Sequence, residues 1–161
     1  MKKSEHMTQL LGDTLVSKSH PRILLRGKLD SLGAQVVFIQ CELAEDLALV
    51  AELQEIGDVL HELMAAEVLD RPFGRETILG LTFDQLREQS HNPQKYFGVQ
   101  AMVAPDAGQG RTYALLNLLR TAVREAELAA VTAFEAERQD LALGLNRLSS
   151  AVYILMCRNG K

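Results

Sequence analysis

Between Arg111 and Met156 lies a small set of polar side chains whose types and spacing suit a polar ligand. Arg120 and Arg124 are four residues apart and Glu127 follows three later. On a helix all three project from one side within about two turns. Asn146 and Ser149, three apart inside the next apolar run, repeat the arrangement. Two helices that each carry hydrogen-bonding groups beside a core stripe can hold a polar ligand between them. The same Arg-x-x-x-Arg-x-x-Glu spacing also describes a solvated face with a helical ion pair, which contributes roughly 0.2–0.5 kcal/mol. Spacing alone leaves both open.

Two further stretches carry candidate chemistry. Lys18, Arg22, Arg26 and Lys28 form a local basic cluster in an otherwise acidic chain, readable as an anion site or as a solvated segment. Tyr96 and Phe97, with Val99, Met102 and Val103 after them, sit on a long irregular connection. Such an apolar lip can cover a large flat ligand or simply pack as core.

Composition narrows the class. The chain has 161 residues, 47% hydrophobic and 24% charged, as expected of one folded globular domain. A net charge of -4 argues against a general nucleic-acid binder, which needs a basic footprint. Any phosphate ligand must therefore meet locally placed Arg or Lys. Cys41 and Cys157 stand far apart on apolar stretches and read as small buried hydrophobes in a reducing compartment. His6, His20, His61 and His91 are scattered, so no metal site is expected. No apolar run approaches the ~18 residues of a membrane span, and a cytoplasmic setting is expected.

The elements that must position these residues are helices. Residues 1–16 are read as a flexible N-terminal segment, and 17–161 as a single helical domain. Pro21 and Gly27 bound a short extended piece, after which Asp30-Ser31 can cap a long helix to about Ala44. Its buried stripe is Leu32, Val36, Ile39, Leu43 and Leu47. A break near Glu45-Asp46 precedes a second helix to about Leu69, stopped by Arg71-Pro-Phe-Gly74. Thr82 caps a short helix to Gln89, and residues 92–110 form the long connection. The helix from Arg111 buries Leu115, Leu118, Leu119, Ala122, Val123, Ala126 and Ala130, and Asp140 can cap the last one. The expected fold is all-α, a five-helix antiparallel bundle of four long helices and one short.

Residues 17–157 resemble the ATP:cob(I)alamin (corrinoid) adenosyltransferases, most closely the ethanolamine-utilisation type. The matching pieces are Lys18-Ser-His-Pro-Arg22, Leu29-Asp-Ser31, Leu81–Asp84 with Leu86, Ser90-His91, Leu115–Glu127 and Leu145-Asn-Arg-Leu-Ser-Ser150. The resemblance implies a homotrimer with active sites between subunits, in which ATP donates its 5′-deoxyadenosyl group to the cobalt of reduced cobalamin. It implies Arg120, Arg124 and Asp30 for catalysis, with Asp30 and Arg120 bridging neighbouring subunits. Lys18, Arg124, Glu127 and Asn146 are implied for ATP, and Phe97 with Tyr96 for cobalamin. Mg²⁺, a reductase and a cobalamin-dependent lyase are implied partners, and association with a bacterial microcompartment is a further expectation. Because Co(I) is itself the nucleophile, no Ser-His-Asp or paired-carboxylate arrangement is needed.

Three departures accompany the resemblance. The propanediol-utilisation branch has Thr-Gly-Asp-x-Gly-x-Thr for the phosphates, where this chain has only Gly12-Asp13-Thr14. The ethanolamine branch often carries a Cys-rich metal region ahead of the point where this chain begins, so no metal role is expected for its residues. Glu125 stands where the broader family has a second arginine after Arg124. A non-catalytic cobalamin carrier, or a structural bundle attached through a helix over residues 1–16, are the competing readings.

Overall fold

The computed structural model describes residues 4–101 and 103–160. Four long helices carry the fold: α1 (Pro21–Glu42), α2 (Leu47–Val68), α5 (Arg111–Phe134) and α6 (Gln139–Asn159). Two short ones, α3 (Phe83–His91) and α4 (Pro93–Phe97), lie between them. The all-α bundle expected from the sequence is the fold, with α4 as an added single turn inside the long connection. Two small hairpins, β1 (Met7–Gln9) with β2 (Leu15–Ser17) and β3 (Thr77–Ile78) with β4 (Leu81–Thr82), are additions the periodicity did not reveal. The first occupies the segment where an attachment helix was one reading. Gly12 at φ +51° makes its turn, a conformation glycine adopts without steric cost.

The first helix starts nine residues earlier than its expected Asp30 cap. Pro21 sits at its first helical position, where a missing N–H costs nothing, and His20 Nδ1 accepts the Arg22 N–H at 3.1 Å. Asp30 and Ser31 are therefore mid-helix and exposed, and Gly27 is a helical residue. Leu25, Leu29, Leu32, Val36 and Ile39 form the buried face that holds this helix despite Gly27. Asp46 caps α2 through the Leu49 N–H, as the break near Glu45-Asp46 suggested. Thr82 caps α3 in a reciprocal box with Gln85.

α5 packs between α1 and α6, and α3 lies on α6. The α5 core stripe is Leu116, Leu119, Val123, Ala126, Ala129, Ala130 and Phe134. Leu118, expected inside, is 65% exposed, and Leu47 is 78% exposed. Cys41, expected buried, is exposed on α1, while Cys157 is buried and its thiol is pushed up by that burial. Asp140 does not cap α6. It accepts the Phe73 N–H at 2.9 Å and pairs with Arg138, and these bonds outweigh its burial and hold its carboxyl below the usual range. The contact brings Phe73 so close to α6 that a Cβ on Gly144 would lie 2.7 Å from its ring.

At the end of α2, Glu67 is fully buried and takes Arg22 Nε and Arg26 Nε at 2.6 Å each. Arg22 also lies 5.0 Å over the Phe134 ring, and Arg26 donates to the Leu10 carbonyl at 2.8 Å. Half of the basic cluster is thus consumed by a structural carboxylate, and Lys28 pairs with Glu125 at 3.1 Å. The anion-site reading of that cluster does not hold within the chain.

Candidate functional site

The α5 residues Tyr113, Asn117, Arg120, Arg124 and Glu127 follow a four-three-four-three spacing and line one wall of a cleft of about 740 Å³. Asn146, Ser149, Ser150 and Tyr153 of α6 form the facing wall, and Ala101, Val103 and Pro105 from the connection supply an apolar side. One end of the cleft reaches Ser90 and His91 at the close of α3. A second hollow of about 390 Å³ adjoins it, bounded by Glu127 and Asn146 together with Arg87, His91 and Arg147.

Inside the cleft the polar groups are organised by one another. Asn146 Nδ2 donates to Glu127 Oε1 at 3.0 Å, and Arg147 Nη1 donates to Asn146 Oδ1 at 2.6 Å. Arg120 Nε donates to Asn117 Oδ1 at 3.0 Å, which fixes the guanidinium plane and leaves its terminal nitrogens for a ligand. Burial, with Arg124 close by, holds the Arg120 guanidinium below its ordinary value. Burial and the neighbouring Cys157 push the Tyr153 hydroxyl up to about 12, so it stays protonated. Arg124 is exposed and takes part in no ion pair among the described residues. Two cations and one engaged carboxylate make the site net positive, suited to a polyanion with hydroxyl groups.

Of the residues singled out from the sequence, Arg120, Arg124, Glu127, Asn146 and Ser149 come together here, with Val103 of the lip. Lys18, in the turn between β2 and α1, and Asp30, on the exposed face of α1, do not line the cleft. Tyr96 and Phe97 do not line it either. Phe97 packs against the core, while Tyr96 donates to Glu88 at 3.3 Å and lies beneath Lys95. The apolar side is built four or more residues later, and Met102 of that lip lies outside the described residues. Tyr113, Asn117, Ser150 and Tyr153 were missed. Extending the helical stripe back from Arg120 and forward from Asn146 would have found them.

No three His, Cys, Asp or Glu side chains converge as a metal site among the described residues. No helix of that set is long and apolar enough to cross a membrane.

A helical bundle with a polar inter-helix cleft of this composition defines the class, and comparison with known proteins names it. The family model for cobalamin adenosyltransferases matches residues 2–159, and the chain belongs to that family. The corrinoid adenosyltransferase EutT of Salmonella typhimurium is 42% identical over 161 residues, 97% of this chain and 59% of that protein. EutT of Escherichia coli K12 is 42% identical over 160 residues, with 96% and 59% covered. The chain thus resembles the ethanolamine-utilisation type, and it spans 59% of the length of these relatives. A variant PduO-type ATP:corrinoid adenosyltransferase from Lactobacillus reuteri, solved with cobalamin and ATP, shares the fold. Its TM-score is 0.74 at 22% identity, covering 96% of this chain and 88% of that one. A second variant of that enzyme, solved with ATP, matches at the same TM-score over 94% and 87%.

Proposed function

We propose that this chain transfers the 5′-deoxyadenosyl group of ATP to cob(I)alamin, forming adenosylcobalamin and releasing triphosphate. The observation that carries the reading is the cleft itself. Arg120, Arg124, Glu127 and Asn146 share it with an apolar side from Ala101, Val103 and Pro105, in a chain of the cobalamin adenosyltransferase family. In the reaction the Co(I) electron pair attacks the 5′ carbon, a cobalt–carbon bond forms, the carbon–oxygen bond breaks, and the electrons leave on the triphosphate. The protein need supply no nucleophile. Its work is orientation and stabilisation of charge growing on the leaving group.

Arg124 is free to meet that charge, and Arg120, aligned by Asn117, flanks it. Glu127 and Asn146 take the nucleotide's hydrogen-bonding groups. Val103 and its neighbours shield the corrin from water, the part first assigned to Phe97 and Tyr96. In this reading Mg²⁺ enters on the ATP phosphates with most of its water.

A homotrimer belongs to the same reading. Leu24, Val37 and Phe38 on α1 and Leu118, Leu128 and Val131 on α5 are large apolar side chains left exposed, with Phe38 at 57%. A single folded subunit rarely leaves this much apolar surface uncovered on adjacent helices. A neighbouring copy docked there would bring its own Asp30 and Lys18 toward the cleft, to Arg120 and to the phosphates. Asp30 has no ion-pair partner within the chain among the described residues, which fits that role. We expect Asp30→Arg to convert the trimer to monomer in sedimentation, and the swap Asp30→Arg with Arg120→Asp to restore it in part. A trimer indifferent to Asp30→Arg would remove this pair from the interface. A cytoplasmic setting, a reductase that delivers Co(I) and a cobalamin-dependent lyase of ethanolamine breakdown that takes the product complete the reading.

The test is direct: purified chain, chemically reduced cob(I)alamin, Mg²⁺ and ATP, followed by absorbance. Conversion to adenosylcobalamin is expected. Cobalamin bound without conversion would instead favour a carrier.

A further inference from the structure

We propose that Arg147 is a positioning residue that locks the Asn146 amide in one orientation and thereby makes the Asn146–Glu127 pair selective for the ribose hydroxyls of the nucleotide. The inference rests on the ATP-binding reading above and extends it to a residue that lies outside the main cleft.

The donors and acceptors of each group set the orientation. A guanidinium has only N–H donors, so the side of Asn146 that lies 2.6 Å from Arg147 Nη1 has to be the oxygen. The amide nitrogen then faces Glu127, where it donates to Oε1 at 3.0 Å. Without Arg147, the single bond to Glu127 is left to hold the amide, and its plane can tilt and carry the second N–H away from the cleft. The chain Arg147 to Asn146 to Glu127 therefore has a single direction, with every donor pointing toward the carboxylate.

That direction leaves a defined pattern at the cleft. Glu127 keeps Oε2 as an acceptor, and Asn146 keeps its second N–H as a donor. A vicinal diol, which donates from one hydroxyl and accepts at the other, matches an acceptor beside a donor. A phosphate does not, because its oxygens would face the carboxylate. The ribose is thus the part of ATP this pair reads, and the triphosphate is left to the Arg120–Arg124 side.

Arg147 is suited to the task by its own surroundings. It has no carboxylate within ion-pair distance among the described residues. Its Nε is buried with no hydrogen-bond partner. An arginine kept half-buried without an anion is costly as a mere structural element. Among the described residues, its short bond to Asn146 Oδ1 is the one hydrogen bond its guanidinium makes.

The test is nucleotide binding by calorimetry to the full chain and to Arg147→Lys and Arg147→Met, using ATP and 2′,3′-dideoxy-ATP. The Asn146 side-chain amide is followed by nitrogen-15 NMR in the same proteins. Wild type should prefer ATP over the dideoxy analogue. Arg147→Met should weaken ATP by about tenfold, the loss of one charge-assisted hydrogen bond, leave the dideoxy analogue unchanged, and shift the Asn146 amide resonances. Arg147→Lys, still a donor-only cation, should restore ATP binding and the resonances. Equal weakening of both nucleotides, or unchanged ATP binding and unchanged resonances in Arg147→Met, would overturn the inference alone. A wild-type chain that binds neither nucleotide overturns the ATP-binding reading and the ribose selectivity with it.

Discussion

Replacing Glu67 by Gln is expected to lower the stability of the fold by about 3–5 kcal/mol, the range for removing one partner from a buried ion pair. For a domain of this size that corresponds to a fall in Tm on the order of 10 °C. The reason is local stoichiometry. One fully buried carboxylate receives both Arg22 and Arg26 at 2.6 Å, and both guanidiniums are themselves largely buried. Gln retains the shape but not the charge, and its amide nitrogen would face a guanidinium donor. Two cations would then share a site with no anion. The strain would spread, because Arg22 is stacked on Phe134 at the end of α5 and Arg26 holds the Leu10 carbonyl of the hairpin loop.

Denaturant melts of wild type and Glu67→Gln give the number directly. The triple variant Glu67→Leu, Arg22→Met, Arg26→Leu separates charge from packing. If the penalty comes from stranded cations, the triple variant should regain most of the loss, since an apolar set of similar volume replaces a buried triad at little cost. A Glu67→Gln melt within 1 kcal/mol of wild type would mean that water or the exposed edges of the two arginines already compensate them.

The misreading of that same cluster shows what a sequence carries and what it hides. Arg22 and Arg26 are one helical turn apart, but their partner lies 45 and 41 residues away on another helix, so spacing cannot reveal it. Pro21 and Gly27 look like breakers, yet Pro at the first helical position is favourable and one glycine costs about 1 kcal/mol against a buried leucine stripe. The start of α1 was lost for these reasons. α5 was legible because no Gly or Pro interrupts it and its polar stripe runs beside its core stripe. The five polar residues named from that stripe and its partner on α6, Arg120, Arg124, Glu127, Asn146 and Ser149, all line the cleft. Of the lip read on the connection, Val103 lines the cleft while Tyr96 and Phe97 do not, and the apolar side is completed by Ala101 and Pro105, which carry no signal of their own. Lys18 and Asp30 do not line the cleft of the single chain, and in the proposed trimer a second copy would supply them. No reading of one subunit's geometry can bring them to the cleft.

Arg124→Ala is the substitution expected to cost catalysis most while costing stability least. Arg124 is exposed and has no ion-pair partner among the described residues, so its removal leaves no buried group unsatisfied and should move a denaturant melt by less than about 0.5 kcal/mol. Its proposed duty is to meet charge that develops on the departing triphosphate. Removing a preorganised donor of that kind costs about 10²–10³ in kcat. Because the triphosphate is already charged in the bound nucleotide, part of the loss should fall on KM for ATP as well. Arg120→Ala is the instructive contrast. Arg120 is half-buried and tied to Asn117 at 3.0 Å, so its loss should lower activity, loosen Asn117 and, in the proposed trimer, weaken the subunit contact together. Lysine at 124 should recover only part of the activity, since an ammonium offers a point charge where a guanidinium offers a planar pair of donors. Steady-state assays at saturating and limiting ATP, beside melts of the same preparations, separate these outcomes. Full activity in Arg124→Ala would take that residue out of the reaction and leave Arg120, with a partner's lysine, to stabilise the leaving group.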